Sequence, residues 1–194
     1  MEVRFFEEGT VPEWATPEWY FTRARAPHLE EEMHGGRIVH TADYIRGVVA
    51  RYDVKTISDM GAGDGGLLSL LASLPAVSWG YDLQPENVAG AQERGVDVTL
   101  RDVLLEEVQW GDLAICTEML EHLVDPHAFV RKVADHSPLI VASSPNGETP
   151  DHRYEFHLWG FDMAGYRALI EQGGFDVVYH KVIPGAQLIF GVQQ

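Results

Sequence analysis

The sequence of 194 residues has little positive charge, a single cysteine and no long hydrophobic run. It contains 14 Lys and Arg but 30 Asp and Glu, so its formal net charge is −16. This negative charge makes nucleic acid and anionic membrane surfaces unfavourable partners. The one cysteine, Cys116, excludes an internal disulfide framework and a cysteine-rich zinc site, and fits a reducing compartment. The first ten residues lack the basic and then apolar pattern of a secretory signal. We therefore expect a soluble, cytoplasmic protein with one globular core.

Residues 1–36 differ in composition from the rest of the chain. Their large aromatic residues stand among prolines and acidic clusters and follow neither a helical nor a strand period: Trp14, Trp19, Tyr20 and Phe21. Because such side chains are costly to leave in water, we predict an arm that packs over a preformed domain and covers its site. A frayed extension is the alternative. The domain itself is predicted to span residues 37–194.

Helix and strand patterns alternate from residue 37 onward. A first helix ends at Tyr52-Asp53, and further helices are predicted at 67–74, 85–94, 126–134 and 162–172. The predicted strands are 56–60, 77–82, 96–101, 112–117, 139–143, 175–181 and 187–192. The short turn at Pro184-Gly185 makes the last two strands antiparallel, since parallel neighbours need a longer crossover. The fold class is therefore α/β, a Rossmann-like seven-stranded, mostly parallel sheet with helices on both faces and an antiparallel last strand.

A glycine-rich loop follows the first predicted strand. Gly61, Gly63 and Gly66 fit the pattern G-x-G-x-x-G, which allows a tight turn and a close approach of a ligand to the backbone. Asp82 ends the second strand, where a carboxylate accepts hydrogen bonds from ribose hydroxyls. Asp102 ends the third, where an acid either accepts from an adenine amino group or caps a turn. Together these features predict a nucleoside cofactor, whereas a glycine turn without ligand is the alternative for the loop alone.

Two considerations separate this cofactor from a nicotinamide dinucleotide. A dehydrogenase usually needs additional sequence for a substrate domain, and here one sheet and a short arm use the whole chain. The helix that follows the loop begins beside Asp64, and this negative charge suits a cofactor without phosphates.

In this context the sequence resembles the class I S-adenosylmethionine-dependent methyltransferases, over roughly residues 37–194. The segment 57–65 (ISDMGAGDG) looks like their first motif. The segment 111–126 (GDLAICTEMLEHLVDP) is similar to the fourth motif of a small-molecule branch related to ubiquinone and menaquinone methyltransferases. Ser144-Pro145-Asn146, Trp159 and the helix ending at Gly174-Phe175 resemble the ending of that branch.

The resemblance implies S-adenosyl-L-methionine as the cofactor and gives the positions of its contacts. It places Gly61, Ala62 and Gly63 along the methionine part, Asp82 and Leu83 at the ribose, Asp102 and Val103 at the adenine, and Glu118 beneath the sulfonium. Asp59 adds a further acid where a cationic cofactor would lie. Candidates to pair with the cofactor carboxylate are Arg23, Arg25, His34 and Arg37. We favour Arg37, which opens the helix before the loop, although a solvated arginine at a helix start is the alternative.

Methyl transfer from a sulfonium is an in-line displacement that also needs a proton removed when the acceptor is a hydroxyl or a protonated amine. Histidine suits this task near neutral pH, and both His122 and His152 are expected at carboxyl ends of strands. A structural role is the alternative for His122. The interpretation is therefore an enzyme that methylates an oxygen or nitrogen of a small-molecule acceptor.

Glu118, Glu121 and His122, joined by His152, also suggest a site for magnesium or manganese. This arrangement resembles metal-dependent 2′-O-methyltransferases that modify the ends of small RNAs, and some O-methyltransferases of the ubiquinone pathway. The acidic surface has no patch for RNA, so we do not favour the metal or the RNA substrate. A non-catalytic module that binds S-adenosylmethionine is the third hypothesis. The acceptor is expected to contact the arm and residues 146–161, which close over the site.

Overall fold

The computed structural model describes residues 1–194, apart from the side chain of Met33. The strands are β1 (Glu2–Arg4), β2 (Thr56–Met60), β3 (Val77–Asp82), β4 (Val98–Leu100), β5 (Leu113–Thr117), β6 (Leu139–Ser144), β7 (Trp159–Phe161), β8 (Phe175–Ile183) and β9 (Ala186–Gln193). The helices are α1 (Pro17–Tyr20), α2 (Glu32–Tyr52), α3 (Gly66–Leu71), α4 (Pro85–Arg94), α5 (Pro126–Ala134) and α6 (Met163–Gln172). A 3-10 turn covers Leu120–His122.

The central sheet has the strand order β4-β3-β2-β5-β6-β9-β8. The first five of these strands are parallel, and β9 runs antiparallel to both β6 and β8. The predicted fold class is thus confirmed, including the antiparallel last strand. Since β3 and β4 lie on one side of β2 while β5 and β6 lie on the other, the strand order reverses at β2, where ligands of such sheets bind.

Helices cover both faces of the sheet. Along β5, Leu113 and Ile115 belong to the same buried cluster as Ile45 of α2, while the alternate residues Ala114 and Cys116 pack in the cluster of Val130 from α5. This alternation follows from the side-chain period of a strand, and both kinds of position are apolar because both faces are covered. No helix of the described chain combines the length and the apolar composition that a membrane span requires.

Several element ends differ from the sequence prediction. The strand predicted at 96–101 shortens to β4 because Gly95, with φ of 73°, and Val96 donate backbone hydrogen bonds that close the end of α4. At the other end of the domain, α2 begins at Glu32, so a boundary after residue 36 falls inside this helix. The division into arm and domain therefore stays a prediction, with its boundary displaced toward residue 31.

The aromatic arm makes contacts that no local pattern indicates. Strand β1 pairs antiparallel with β7, and Phe6 lies edge-on to Trp159 with ring centroids 6.0 Å apart. Trp14 and Trp19 both contact Phe156, at 5.4 and 4.7 Å between centroids. The arm thus packs against residues 156–161 of the domain, and this segment includes β7, which the sequence analysis did not predict.

Candidate active site

A cavity of about 770 Å³ lies at the carboxyl ends of β2, β3 and β5, where the strand order reverses. The structure brings all ten of the predicted cofactor contacts to its wall: Arg37, Asp59, Gly61, Ala62, Gly63, Asp82, Leu83, Asp102, Val103 and Glu118. The arm and the segment between β6 and β7 supply the opposite side. This cavity has the volume and the placement of a binding site for a small molecule, and the individual contacts stay predictions.

The glycine loop leaves β2 in a conformation that other residues rarely adopt. Gly61 and Gly63 have φ of 83° and 57°, in the left-handed region. A Cβ atom at Gly63 would meet no atom within 4 Å, so the backbone there faces open space. The loop therefore presents bare backbone to the cavity, as the G-x-G-x-x-G pattern predicts.

Asp82 ties this loop to the end of β3. Its Oδ2 accepts a hydrogen bond of 2.8 Å from the backbone N–H of Gly63, and its Oδ1 accepts from the N–H of Gln84 at 2.8 Å and from Asn87 Nδ2 at 3.2 Å. Burial raises the pKa of the Asp82 carboxyl, and these three donors oppose the increase. The carboxylate is thus held in one orientation beside the bare loop.

Asp102 fills one of the two roles that the sequence left open. It is buried at the cavity wall, and its Oδ1 accepts a hydrogen bond of 2.9 Å from the backbone N–H of Leu104. That bond makes it the cap of the turn after β4 and fixes the position of Val103, which also lines the cavity. The turn role is therefore realised, and the adenine contact stays a prediction.

Asp59 is a fully buried carboxyl at the end of β2. Its Oδ1 has no hydrogen-bond partner among the described residues. Burial and the charge of Asp82 raise its pKa to about 8, so the free protein holds this group largely protonated at neutral pH. A cationic ligand in the cavity would favour its ionised form.

Asp64 does not present a free negative charge at the helix start. Its Oδ2 accepts hydrogen bonds from Arg25 Nε at 3.0 Å and from Arg94 Nη2 at 2.6 Å. Arg25 also donates to Glu93 at 2.6 Å, so this arginine is engaged outside the cofactor region. Both arginines also pair with another acid, Arg25 with Glu93 and Arg94 with Glu30, so the cluster keeps one net negative charge and the argument from Asp64 against a phosphate-containing cofactor stays a prediction. The same ion pairs fasten the arm to the glycine loop.

Glu118 follows β5 with φ of 50°, an uncommon value for a residue other than glycine. Its Oε2 accepts a hydrogen bond of 2.6 Å from Arg37 Nη1, and its Oε1 accepts one of 2.8 Å from Ser143 Oγ. Burial raises the pKa of Glu118, and the charge of Arg37 opposes the increase. Arg37 therefore pairs with a protein carboxylate, and a contact with the cofactor carboxylate would have to use its other N–H donors.

Two histidines meet next to this ion pair, with ring centroids 4.7 Å apart. His122 Nδ1 lies 3.0 Å from the carbonyl oxygen of Phe156, and His157 Nδ1 lies 2.6 Å from Glu148 Oε2. Since both partners are acceptors, each Nδ1 carries a proton, and the hydrogen bonds fix the orientation of the two rings. Burial and the neighbouring His157 lower the pKa of His122 to about 3, which keeps that ring neutral.

Glu121 lies beside these rings with both carboxyl oxygens buried and without a hydrogen-bond partner in the described chain. Burial and the charge of Glu118 raise its pKa well above the usual value. Ligand atoms of Glu121, His122 and His157 all lie within 4.8 Å of one another. A buried carboxyl group without a partner beside two imidazole rings of fixed orientation is an arrangement suited to a divalent cation.

His152 is not brought to this site. It is exposed in a turn with Thr149 and does not line the cavity, whereas His157 does. Sequence reasoning missed His157 because it missed β7, the strand whose backbone pairing with the arm places residues 157–161 in the interior. The signal was present in the sequence: His157 immediately precedes the apolar run Leu158-Trp159.

A family model described as a methyltransferase domain matches residues 38–179. A ubiquinone biosynthesis O-methyltransferase of Bordetella pertussis is 35% identical over 130 residues, which is 62% of this chain and 50% of the relative. The chain thus spans about half the length of this curated relative.

Among solved structures, the fold is similar to magnesium protoporphyrin IX methyltransferase of Synechocystis PCC 6803, with TM-score 0.70, 15% identity and coverage of 91% and 92% of the two chains. It is also similar to 1,6-didemethyltoxoflavin-N1-methyltransferase of Burkholderia thailandensis, with TM-score 0.63, 17% identity and 84% coverage of each chain. At these identities the likeness concerns the fold.

Proposed function

Since the chain belongs to the class I S-adenosylmethionine-dependent methyltransferases, we propose that it transfers the methyl group of S-adenosylmethionine to an oxygen or nitrogen of a small molecule. The observation that carries this proposal is the single cavity that collects the glycine loop, the strand-end acids Asp82 and Asp102, and the buried Glu118. The opposite wall, from the arm and residues 148–157, leaves room for an acceptor of limited size.

The chemistry requires a straight line from the acceptor atom through the methyl carbon to the sulfonium sulfur. The bond from the acceptor to the methyl carbon forms as the bond from carbon to sulfur breaks, and S-adenosylhomocysteine leaves as a neutral thioether. An acceptor hydroxyl also loses its proton. The chain contributes by orienting both ligands, by negative charge near the cationic cofactor, and by excluding water beneath the arm.

The lone pair of His122 has two possible uses, proton removal and cation binding. The unpartnered Glu121 favours the second, so we propose that Glu121, His122 and His157 hold a divalent cation, with Glu118 close by and with His157 in place of the predicted His152. Two imidazoles and carboxylates suit Mn²⁺ better than Mg²⁺. A cation there would lower the pKa of an acceptor hydroxyl, which favours oxygen as the methylated atom.

Two observations support a small acceptor over RNA. The net charge of −16 opposes a polyanion. The names of the three methyltransferases compared above refer to ubiquinone, to magnesium protoporphyrin IX and to 1,6-didemethyltoxoflavin, and each of these compounds is a small molecule.

The test supplies S-adenosylmethionine labelled in its methyl group together with three separate pools from a cell extract: small molecules, RNA and protein. We expect label in the small-molecule pool. Label in RNA alone would instead support the RNA hypothesis. Binding of the cofactor with no label in any pool would leave a non-catalytic module.

A cytoplasmic location is proposed from cysteine usage. Cys116 is a free, fully buried thiol, and burial raises its pKa far above the usual value. Such a thiol is unreactive and needs no oxidising compartment.

The raised pKa of Asp59 predicts a proton released when the cofactor binds. The free protein holds Asp59 protonated below about pH 8, and the positive charge of S-adenosylmethionine favours the ionised form. Fewer protons need to leave as the pH rises, so the affinity should increase from pH 6 to 8, by at most about tenfold per unit. Calorimetry in buffers of different ionisation enthalpy measures the released proton directly.

One variant and one ligand serve as matched controls for the proton release predicted at Asp59. Asp59→Asn should release fewer protons and lose most of this pH dependence. S-adenosylhomocysteine, which lacks the sulfonium charge, should show a smaller effect with the unchanged protein. Equal proton release by the unchanged protein and by Asp59→Asn would contradict the prediction.

A further inference from the structure

One side of the cavity is an aromatic wall, formed by Trp19, Tyr20, Tyr154 and Phe156. Trp19 lies 5.1 Å from Tyr20 and 4.7 Å from Phe156, measured between ring centroids, and Tyr154 lies 5.3 Å from Phe156. Two of these residues come from the arm and two from the segment between β6 and β7. The rings stand at interplanar angles of 90°, 48° and 75° to one another, and such a wall of ring faces and edges suits an aromatic ligand.

Arg23 projects onto this wall without an acidic partner. Its guanidinium carbon lies 4.3 Å from the ring centroid of Trp19 and 5.0 Å from that of Phe156, and its Nη2 is 3.4 Å from the hydroxyl of Tyr154. No carboxylate of the described residues lies within salt-bridge distance of it. In a chain with more than twice as many acids as bases, an unpaired guanidinium in a cavity is unexpected.

The other two arginines of the cavity wall are already engaged. Arg37 pairs with Glu118, and Arg101 pairs with Glu106. Arg23 therefore keeps most of its five N–H donors for a ligand. Of the three arginines that line this cavity, Arg23 is the one without an ion pair among the described residues.

Tyr20 supplies a second unmet polar group beside Arg23. Its hydroxyl is buried and has no hydrogen-bond partner in the described part of the chain. Its ring lies 5.1 Å from that of Trp19, and the Arg23 guanidinium carbon lies 4.3 Å from the same Trp19 ring, so the two side chains share one region of the wall. Phe156, which also lies beneath the Arg23 guanidinium, accepts a hydrogen bond of 3.0 Å from His122 Nδ1 at its carbonyl oxygen. Arg23 and Tyr20 therefore lie on the side of the cavity near His122.

We propose that the methyl acceptor is an aromatic acid, whose ring packs against the aromatic wall and whose carboxylate is bound by Arg23 and the hydroxyl of Tyr20. This inference rests on the proposed function and narrows its substrate class. A bidentate pair of guanidinium and carboxylate would fix the orientation of the ring, and with it the position of the atom to be methylated.

The test measures binding to the full chain saturated with S-adenosylhomocysteine. The probes are para-hydroxybenzoate, para-hydroxycinnamate and a hydroxynaphthoate, each compared with its own uncharged amide by calorimetry. We expect at least one acid to bind about tenfold or more tightly than its amide, because a charge-assisted hydrogen bond is lost in the amide. Arg23→Gln should bring the ratio of acid affinity to amide affinity close to one. Arg23→Lys should keep part of this ratio, and Tyr20→Phe should reduce it.

Arg131→Gln is the matched control, since it removes the same charge from an exposed position on α5 and should leave the ratio unchanged. The proposal is wrong if no acid binds better than its amide to the unaltered protein, a result that depends on no variant. It is also wrong if Arg23→Gln weakens S-adenosylhomocysteine binding and leaves the ratio as it was, which would assign Arg23 to the cofactor. Failure of the unaltered protein to bind S-adenosylhomocysteine would instead reject the proposed function.

Discussion

We expect Asp82→Ala to weaken the binding of S-adenosylmethionine by roughly 100-fold or more. The substitution removes the carboxylate proposed to accept both ribose hydroxyls. It also leaves the backbone N–H groups of Gly63 and Gln84 without the acceptor that now holds the glycine loop against β3. Two losses thus act together, one in the ligand contacts and one in the preorganisation of the loop. Calorimetry of the purified variant measures the effect.

Two further variants separate the loss of ligand contacts from the loss of loop preorganisation. Asp82→Asn keeps the shape and one acceptor oxygen, so its affinity should fall between those of the unchanged protein and of Asp82→Ala. Asp97→Ala removes an exposed acid just before β4 and should bind the cofactor normally. Unchanged affinity in Asp82→Ala would reject the cofactor position that the strand-end acids indicate.

The second large effect concerns the cation proposed at Glu121, His122 and His157. We expect the protein to bind Mn²⁺, and we expect Glu121→Gln to weaken that binding by about 100-fold or more, since it replaces a ligating carboxylate with a neutral amide. Glu148→Gln should weaken the affinity for Mn²⁺ by roughly 10- to 100-fold, because Glu148 orients the His157 ring. Titration of Mn²⁺ followed by electron paramagnetic resonance gives these affinities without any turnover.

Two histidines five residues apart provide the matched control for this prediction. His157→Ala should lose Mn²⁺ binding, whereas His152→Ala, at an exposed position outside the cavity, should retain it. Equal loss in both variants would indicate a general structural effect. If the unaltered protein binds no Mn²⁺ and methylates at full rate after chelation, the cation proposal fails, while the assignment of Asp82 to the cofactor is untouched.

The sheet and the acids at its strand ends could be predicted from local sequence patterns, while the other cofactor contacts were inferred from the family resemblance. Strands β5 and β6 contain apolar runs, and β2 and β3 are short segments of mixed polarity that end at the glycine loop and at Asp82. Parallel packing brings the carboxyl ends of all four to one edge. Asp59, Asp82 and Asp102 follow directly, since each stands at or beside the end of its strand. No knowledge of distant contacts is needed for this part of the site.

The acceptor side depends on contacts between residues far apart in the chain, which local patterns do not encode. The pairing of β1 with β7 buries His157, and the ion pair between Arg37 and Glu118 joins residues 81 positions apart. A periodicity of hydrophobic residues says nothing about such pairs. His152 was therefore chosen from its expected position at the carboxyl end of a strand while His157 was missed, and the ion pairs of Asp64 with Arg25 and Arg94 were not foreseen.

The arm is attached to the domain at two places, by the backbone pairing of β1 with β7 and by the ion pair of Arg25 with Asp64. The segment that contains Trp19 and Arg23 lies between these two attachment points. Held at both ends, this segment has fewer conformations to lose when it packs over the cavity than an arm fastened at one end would have.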